Sequence, residues 1–291
     1  MTPFEFEEPT SLREAIALLD PDDASVRPFA GGTALMLMMK AGVFRPRRLV
    51  SLRKIEAEYS GVRVAGDGTI RIGALTPLAA IEHSLDVRRV QPVITSTMRV
   101  LSNTRVRNVA TLGGNLAHGD PHMDLPPVLI ALEAIVNVVG PTGTRSFPVA
   151  ELVTGYYETQ LAKNELIAEV VIPAPQARRS VYLKCTTRAA HDWPTLGVAV
   201  SVDAEPDALR SATVVVSAAT ERPVKVLSAS ALLNGRQITA PLLREAGEAA
   251  AEEVDVTSDL RGSSSYKRQL VRVYVERALR QAIGDKAGTL Q

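Results

Sequence analysis

The sequence predicts an α+β protein in two parts. In its first half, short alternating strands and capped amphipathic segments interleave. A proline-bearing stretch, Pro173-Ala-Pro175-Gln-Ala-Arg-Arg179, reads as a linker. Three strands and then three helices follow it in succession, the order of an α+β unit rather than a doubly wound one. The length of 291 residues, 46% hydrophobic and 22% charged, suits about two domains with a sizeable core.

Taken in order, Thr10 and Ser11 before Leu12, Ala15, Ile16, Leu18 and Leu19 predict a capped helix stopped by Asp20-Pro21. A strand over residues 27–29 meets Ala30-Gly31-Gly32-Thr33, where Thr33 can cap a second helix running to about Ala41. Leu35, Met36, Leu37, Met38 and Met39 make that helix apolar nearly all round, which predicts burial. Residues 48–52 read as a strand. Residues 61–65 and 69–74 alternate about Gly66-Asp67-Gly68 and read as a hairpin. A helix over about residues 90–101 precedes a glycine loop, Ala110-Thr-Leu-Gly-Gly-Asn115, and another helix is expected over about residues 124–134. Strands are expected over residues 134–139, 144–147 and 166–172. Beyond the linker come strands at 181–185, 196–202 and 212–218 as an antiparallel sheet, then helices near 225–233, 242–252 and 266–282.

With 33 basic and 32 acidic side chains, the chain lacks the broad positive footprint of a nucleic-acid binder. Cys185 is the single cysteine, so no internal disulfide, all-cysteine zinc site or cysteine-ligated iron–sulfur cluster can form on this chain. The acidic N-terminus has no signal-peptide pattern, and the apolar run over residues 34–39 is far shorter than the ~20 residues of a membrane span. A cytoplasmic protein without a membrane span is expected.

Two glycine pairs, Gly31-Gly32 and Gly113-Gly114, carry the chemistry. Glycine lets backbone N–H groups approach an anion closely, and a helix starting at Thr33 would add its positive end. Two such loops face to face can clamp a pyrophosphate, although each alone is also an ordinary tight turn. Ala30-Gly-Gly-Thr-Ala-Leu-Met-Leu-Met-Met-Lys40 with Arg47-Arg-Leu-Val-Ser-Leu52 resembles the first flavin-binding segment of the FAD subunits of molybdenum hydroxylases, the carbon monoxide dehydrogenase and xanthine dehydrogenase type. Val106-Arg-Asn-Val-Ala-Thr-Leu-Gly-Gly-Asn-Leu-Ala-His-Gly-Asp-Pro-His-Met-Asp-Leu-Pro-Pro-Val128 is similar to the second segment, and residues 262–272 resemble the start of the family's last helix.

The resemblance implies a vanillyl-alcohol-oxidase (PCMH-type) FAD-binding domain over residues 1–175, with subdomains of about 1–57 and 58–175. A C-terminal carbon monoxide dehydrogenase flavoprotein-like domain would span 176–291, with a three-stranded antiparallel sheet and helices. It further implies that Ala30, Gly31, Gly32, Thr33, Ala34, Leu35, Met36 and Leu37, with Thr111, Leu112, Gly113, Gly114 and Asn115, wrap the FAD pyrophosphate. Asp124 would serve the adenosine side, Leu101 would lie near the flavin ring where relatives place an aromatic, and Ile167 and Lys184 match further contact positions. Ala34 stands where relatives often carry a polar side chain. The missing cysteine-rich insertion argues against the 4-hydroxybenzoyl-CoA reductase branch.

The implied function is oxidoreductase electron transfer with FAD as cofactor and no catalytic side chain. Partners would be a large molybdenum-cofactor subunit and a small iron–sulfur subunit in a dimer of heterotrimers, with NAD, oxygen or quinone as acceptor. A self-contained flavoprotein and a flavin-free scaffold subunit are the alternatives.

His118, Asp120, His122 and Asp124 have metal-ligand residue types, but the run's glycine and proline deny it regular geometry, and FAD binding accounts for the same segment. Position after Lys184 puts His191, Asp192 and Trp193 either beside the flavin ring or in a loop with a packed tryptophan. Cys185 reads as a buried small hydrophobe, and Arg268, Arg272, Arg277 and Arg280 as a solvated helix face or subunit contact. Glycine-rich dinucleotide, Walker A and G-x-S-x-G signatures are absent.

Overall fold

The computed structural model describes residues 3–205 and 208–284. The chain opens with three parallel strands, β1 (Glu5–Glu7), β2 (Val26–Phe29) and β3 (Arg48–Ser51), in the order β1-β3-β2. Helices α1 (Leu12–Leu18) and α2 (Leu35–Lys40) make the two crossovers. Ser11 caps α1 as expected, accepting from the Glu14 N–H at 3.2 Å. At α2 the expectation is corrected. Its N-cap is Ala34 rather than Thr33, with no side-chain cap bond, and of its apolar residues only Met39 is buried. The helix is short and flanks a cleft, so its apolar side chains line that space or face outward, Leu37 being 64% exposed.

The second unit begins with the expected hairpin, β4 (Val62–Val64) and β5 (Ile70–Gly73). A helical insertion follows: α3 (Leu78–His83), α4 (Leu85–Val90), α5 (Pro92–Val100), α6 (Thr104–Arg107), α7 (Leu112–Ala117) and α8 (Leu125–Ala131). Then come β6 (Ile135–Gly140), β7 (Gly143–Pro148), a small hairpin of β8 (Val153–Gly155) and β9 (Glu158–Thr159), and β10 (Leu166–Ile172). The strands assemble as β4-β5-β10-β6-β7, antiparallel throughout.

After the linker, β11 (Arg179–Cys185), β12 (Leu196–Ala204) and β13 (Ala208–Ser217) form the expected antiparallel sheet. Two-residue strands β14 (Val224–Lys225) and β15 (Arg236–Gln237) extend it, with α9 (Leu227–Leu233), α10 (Ala240–Glu253) and α11 (Ser264–Ile283) on one face. No helix among the described residues is long and apolar enough to cross a membrane.

Three strands weld the three units together by burying both faces. In β10, Ile167, Val170 and Ile172 join the core of the helical insertion, while Leu166 and Ala168 join the core of the parallel sheet. In β12 and β13, Val198, Val200, Val214 and Val216 face α9–α11, while Ala199 and Val215 belong to the core around α8. A strand covered on both faces reads as a continuous apolar run, which is how residues 196–202 and 212–218 look in the sequence.

The α10–α11 contact is close enough to require a glycine. A Cβ at Gly247 would overlap the Arg272 carbonyl oxygen. Replacing a helical glycine by alanine gains about 1 kcal/mol of propensity, whereas overpacking against backbone costs about 1–3 kcal/mol. Gly247→Ala is therefore expected to lower stability, by up to about 2 kcal/mol in urea denaturation; a stabilised variant would refute the contact.

Candidate functional site

The three units meet at a cleft of about 390 Å³, within the range of ligand-binding cavities. Its walls are the loop after β2, the turn after α5, the start of α7, residues 122–124 before α8, residues 161–167 entering β10, and Lys184 with residues 191–193 from the last unit. Of the cofactor residues expected from sequence, all line this cleft except Met36 and Leu112, whose positions on α2 and α7 turn them away from it. Leu52, the end of the segment that resembles the first flavin-binding motif, also lines it, as do Arg27, Pro28, Phe29, Thr159, Leu161 and Lys163, which carry no motif that sequence reasoning could use.

The four glycines do different things. A Cβ at Gly31 would overlap the Val109 carbonyl oxygen and sit 2.8 Å from the Ala110 Cα, so this glycine lets the first loop lie directly on the segment before α7. A Cβ at Gly113 would sit 2.8 Å from the Ala74 Cβ, so this glycine seats α7 closely on Ala74. Gly32 has φ +69°, a left-handed conformation that glycine adopts without strain, and a Cβ there would run into the Phe29 ring. At Gly114 a Cβ would meet only Thr111 Oγ1, at 3.0 Å.

The second glycine pair is corrected from a loop to the first turn of a helix. Thr111 is the N-cap of α7, accepting from the Gly114 N–H at 3.2 Å. The Leu112 and Gly113 N–H groups donate to the Thr76 and Ala74 carbonyls at 3.0 and 2.7 Å. Those donors are used up in joining α7 to the segment just after β5. In contrast, among the described residues the N–H groups of Gly31, Gly32, Thr33, Ala34 and Leu35 have no acceptor in the chain. Such a run of free N–H groups is an anion-binding concavity. The two pairs are thus not a symmetric clamp: the first supplies donors, and the second supplies close packing and floor.

Asn115, deeper in the cleft, donates through Nδ2 to Met123 Sδ at 3.2 Å, while its buried Oδ1 has no partner. An unpartnered buried acceptor is costly, and this one borders the open space. An oxygen acceptor suits a hydroxyl donor and not a phosphate.

Asp124 and Lys184, expected as separate contacts, meet each other. Lys184 Nζ donates to Asp124 Oδ2 at 3.0 Å and to the Val100 carbonyl at 2.8 Å, and the Tyr182 hydroxyl donates to Asp124 Oδ1 at 2.7 Å. Burial pushes the Asp124 carboxyl up to about 6 although Lys184 and Tyr182 pull it down. Burial likewise raises Tyr182, with the Asp124 charge adding to it. Gly197, opposite Lys184 on β12, makes room for this group, since a Cβ there would lie 2.7 Å from the Tyr182 hydroxyl. Because Val100 adjoins Leu101, this network draws Asp124 to the Leu101 end of the cleft.

The His118–Asp124 run splits among different partners. His122 Nδ1 lies 2.9 Å from Asp120 Oδ1, its Nε2 is 3.3 Å from Arg261 Nη1 and 3.6 Å from Asp259 Oδ2, and its ring stacks on Trp193 at 6.0 Å. Burial pushes Asp120 up, but the His122 bonds outweigh it and leave the carboxyl below its usual range. Burial lowers His118. Trp193 is half exposed, with the Arg261 guanidinium 5.4 Å from its ring centre, and it lines the cleft with His191 and Asp192. Cys185 is only half-buried, correcting the expectation of burial, because it ends the edge strand β11. On α11, Arg268 and Arg277 are exposed, while Arg280 pairs with Glu276 at 3.0 Å and Arg272 donates to Gln269 at 2.9 Å.

Comparison with known proteins places this geometry. A family described as the FAD binding domain in molybdopterin dehydrogenase matches residues 2–175, and one described as the CO dehydrogenase flavoprotein C-terminal domain matches residues 181–282. The chain is similar to the carbon monoxide dehydrogenase medium chain of Hydrogenophaga pseudoflava, 31% identical over 96% of each chain. It is also similar to the glyceraldehyde dehydrogenase medium chain of Sulfolobus acidocaldarius, 27% identical over 96% of this chain and 98% of that one. A solved structure of carbon monoxide dehydrogenase from Hydrogenophaga pseudoflava superposes with a TM-score of 0.92 at 32% identity, covering 97% of this chain and 98% of that one.

The raised Asp124 carboxyl has a signed consequence. In the folded chain it keeps its proton to about pH 6, while the unfolded group loses it near 3.8. The folded state binds more protons across that window, so stability falls as pH rises through it. In urea denaturation across pH 4–7, wild-type stability minus that of Asp124→Asn is expected to fall by up to about 3 kcal/mol. A pH-independent difference would contradict the buried ionisation.

Proposed function

The chain belongs to the FAD-binding medium-subunit family of the molybdenum hydroxylases, and from that premise we propose that it is the electron-exit subunit of a multi-subunit oxidoreductase. Its cofactor is FAD. In the proposed assembly, a large molybdenum-cofactor subunit oxidises the substrate, and a small iron–sulfur subunit delivers electrons to this chain, which passes them to NAD, oxygen or quinone. We place the complex in the cytoplasm as a dimer of heterotrimers. The lone cysteine suits a reducing compartment, and it also means that any cluster feeding the flavin must be held by a partner.

The observation that carries this reading is the run of free N–H groups over residues 31–35 beside the unpartnered Asn115 oxygen. That combination fits FAD in particular. The pyrophosphate would take the backbone donors, and a ribityl or ribose hydroxyl would donate to Asn115 Oδ1. The isoalloxazine ring would occupy the other end, against Leu101, Lys184 and the loop carrying His191, Asp192 and Trp193. FAD supplies the redox chemistry, taking up electrons singly and releasing them as a pair. The chain's residues bind and orient. Lys184, fixed by Asp124 and the Val100 carbonyl, would set a positive charge at the ring end, where it favours the reduced cofactor. Leu101 packs without stacking, and the Trp193–His122 stack shields the rim from water. No side chain of this chain is assigned as general acid or base. The domain limits of 1–175 and 176–291 fit this division of labour, with both pyrophosphate segments in the first domain and Lys184 in the second.

The purified chain is expected to carry a flavin absorption band, or to acquire one with added FAD, while failing to oxidise organic substrates without its partners. A colourless chain that takes up no FAD would sink the proposal, and substrate turnover by the chain alone would replace it with a self-contained flavoprotein. Gly114→Val is expected to melt cooperatively near the wild-type temperature, since its Cβ meets only Thr111 Oγ1, yet to lose FAD because the side chain fills the floor beneath the pyrophosphate. Full flavin occupancy in that variant would show the floor assignment to be wrong.

A further inference from the structure

Arg107 lies outside the cleft and is almost wholly buried, its side chain 8% exposed. A buried guanidinium has five N–H donors to satisfy, and here each finds an acceptor. Nε donates to Glu82 Oε2 at 2.8 Å, and Nη2 to Glu82 Oε1 at 3.4 Å and Thr104 Oγ1 at 3.3 Å. Nη1 donates to two successive backbone carbonyls, Leu101 at 3.2 Å and Ser102 at 2.7 Å. Glu82 sits on α3 and Thr104 opens α6, the helix that carries Arg107 itself, so the guanidinium ties two helices to the turn after α5.

That turn is the one that needs tying. Helix α5 ends at Val100, and the carbonyls of a helix terminus lack intrahelical partners. Cations satisfy three in succession: Lys184 takes Val100 from the cleft side, and Arg107 takes Leu101 and Ser102 from behind. Both charges also complement the negative end of the helix. Ser102 holds φ +52°, a left-handed conformation that a residue with a Cβ keeps only when its surroundings enforce it. The same two residues, Leu101 and Ser102, line the cleft on their other side.

We propose that Arg107, braced by Glu82, is the positioning residue of the flavin-facing wall: it grips Leu101 and Ser102 by their carbonyls and so fixes the surface against which the isoalloxazine ring rests. This rests on the reading that the ring occupies the Leu101 end. Arg107 touches no cofactor atom itself. Its hydrogen bonds act at one end of the site: they go to Glu82, Leu101, Ser102 and Thr104, and none reaches the loop at residues 31–35 that carries the pyrophosphate donors. That asymmetry separates positioning from general structural support.

The test uses the full chain stripped of flavin, with two ligands, FAD and ADP, the latter keeping the adenosine and pyrophosphate and lacking the flavin. Arg107→Lys keeps the charge but offers three donors in place of a planar five-donor fork. Glu82→Gln keeps the shape and removes the brace's charge, and it carries the test if the lysine variant does not fold. Each is expected to weaken FAD binding roughly tenfold, to leave ADP affinity unchanged, and to shift the visible bands of bound flavin toward those of FAD in water. Equal loss for both ligands would reduce Arg107 to a structural residue, and no loss for either would overturn the proposal outright. Leu101→Ala tells the two readings apart. If it weakens FAD but not ADP while the Arg107 and Glu82 variants bind normally, the positioning role alone fails. If it changes neither affinity, the ring is not at this end and the proposal falls with the reading beneath it.

Discussion

The cleft depends on one contact of backbone against backbone, the loop at Gly31 lying on the carbonyl of Val109. Any side chain at residue 31 would force the parallel three-stranded unit away from the helical insertion. Gly113 does the same on the opposite side, seating α7 on Ala74, and the bonds from Leu112 and Gly113 to Thr76 and Ala74 lock that seat. With both approaches made, the free N–H groups of residues 31–35 lie at the edge of a space floored by Gly114 and Asn115. Close packing and ligand binding thus divide between neighbouring glycines, and a dipeptide repeated in the sequence has two unlike uses.

Charges around the cleft follow a second rule. The chain is close to neutral overall, yet the buried or half-buried ionic groups near the site come in pairs: Asp124 with Lys184, Glu82 with Arg107, and Asp259 with Lys267. Burying a pair costs desolvation that the mutual attraction only partly offsets, and the elevated Asp124 carboxyl is the visible sign of that cost. What the pairs supply is register. Lys184 and Arg107 also reach backbone carbonyls, so each pair fixes a stretch of main chain, and those stretches form the wall at the ring end.

Much of this was legible in the residues. The span of β10 is the same in sequence and structure, because a two-sided apolar run bounded by Asn164 and Pro173 admits few alternatives. The Ser11 cap and the hairpin about Gly66-Asp67-Gly68 followed from local chemistry. Helix α7 did not. Glycine weakens a helix interior, and this helix exists because Thr111 caps it and the segment just after β5 accepts its first donors, neither of which shows in the local pattern. Helices α3, α4 and α6 span only four to six residues, too short for a periodicity to declare itself. The methionine-rich stretch of α2 looked like core and proved to be cleft wall and surface, since hydropathy does not separate a side chain facing protein from one facing a cofactor space. Asp124 and Lys184 stood out singly, but their pairing joins positions 60 residues apart and is a product of the fold.

The welding of the units through β10, β12 and β13 has a consequence for how the protein is made. Chains emerge from the ribosome N-terminus first, and domains generally fold as they appear. The donor loop and its floor come from the first 115 residues, whereas Lys184 and Trp193 arrive later, and Arg261, which lies over Trp193, later still. The outer face of α8 has nothing to pack on until β12 and β13 are synthesised. A nascent chain therefore passes through a stage with the phosphate-binding half of the site built and an apolar face bare, and the residues of the ring end join the site only after β12 and β13 have covered that face.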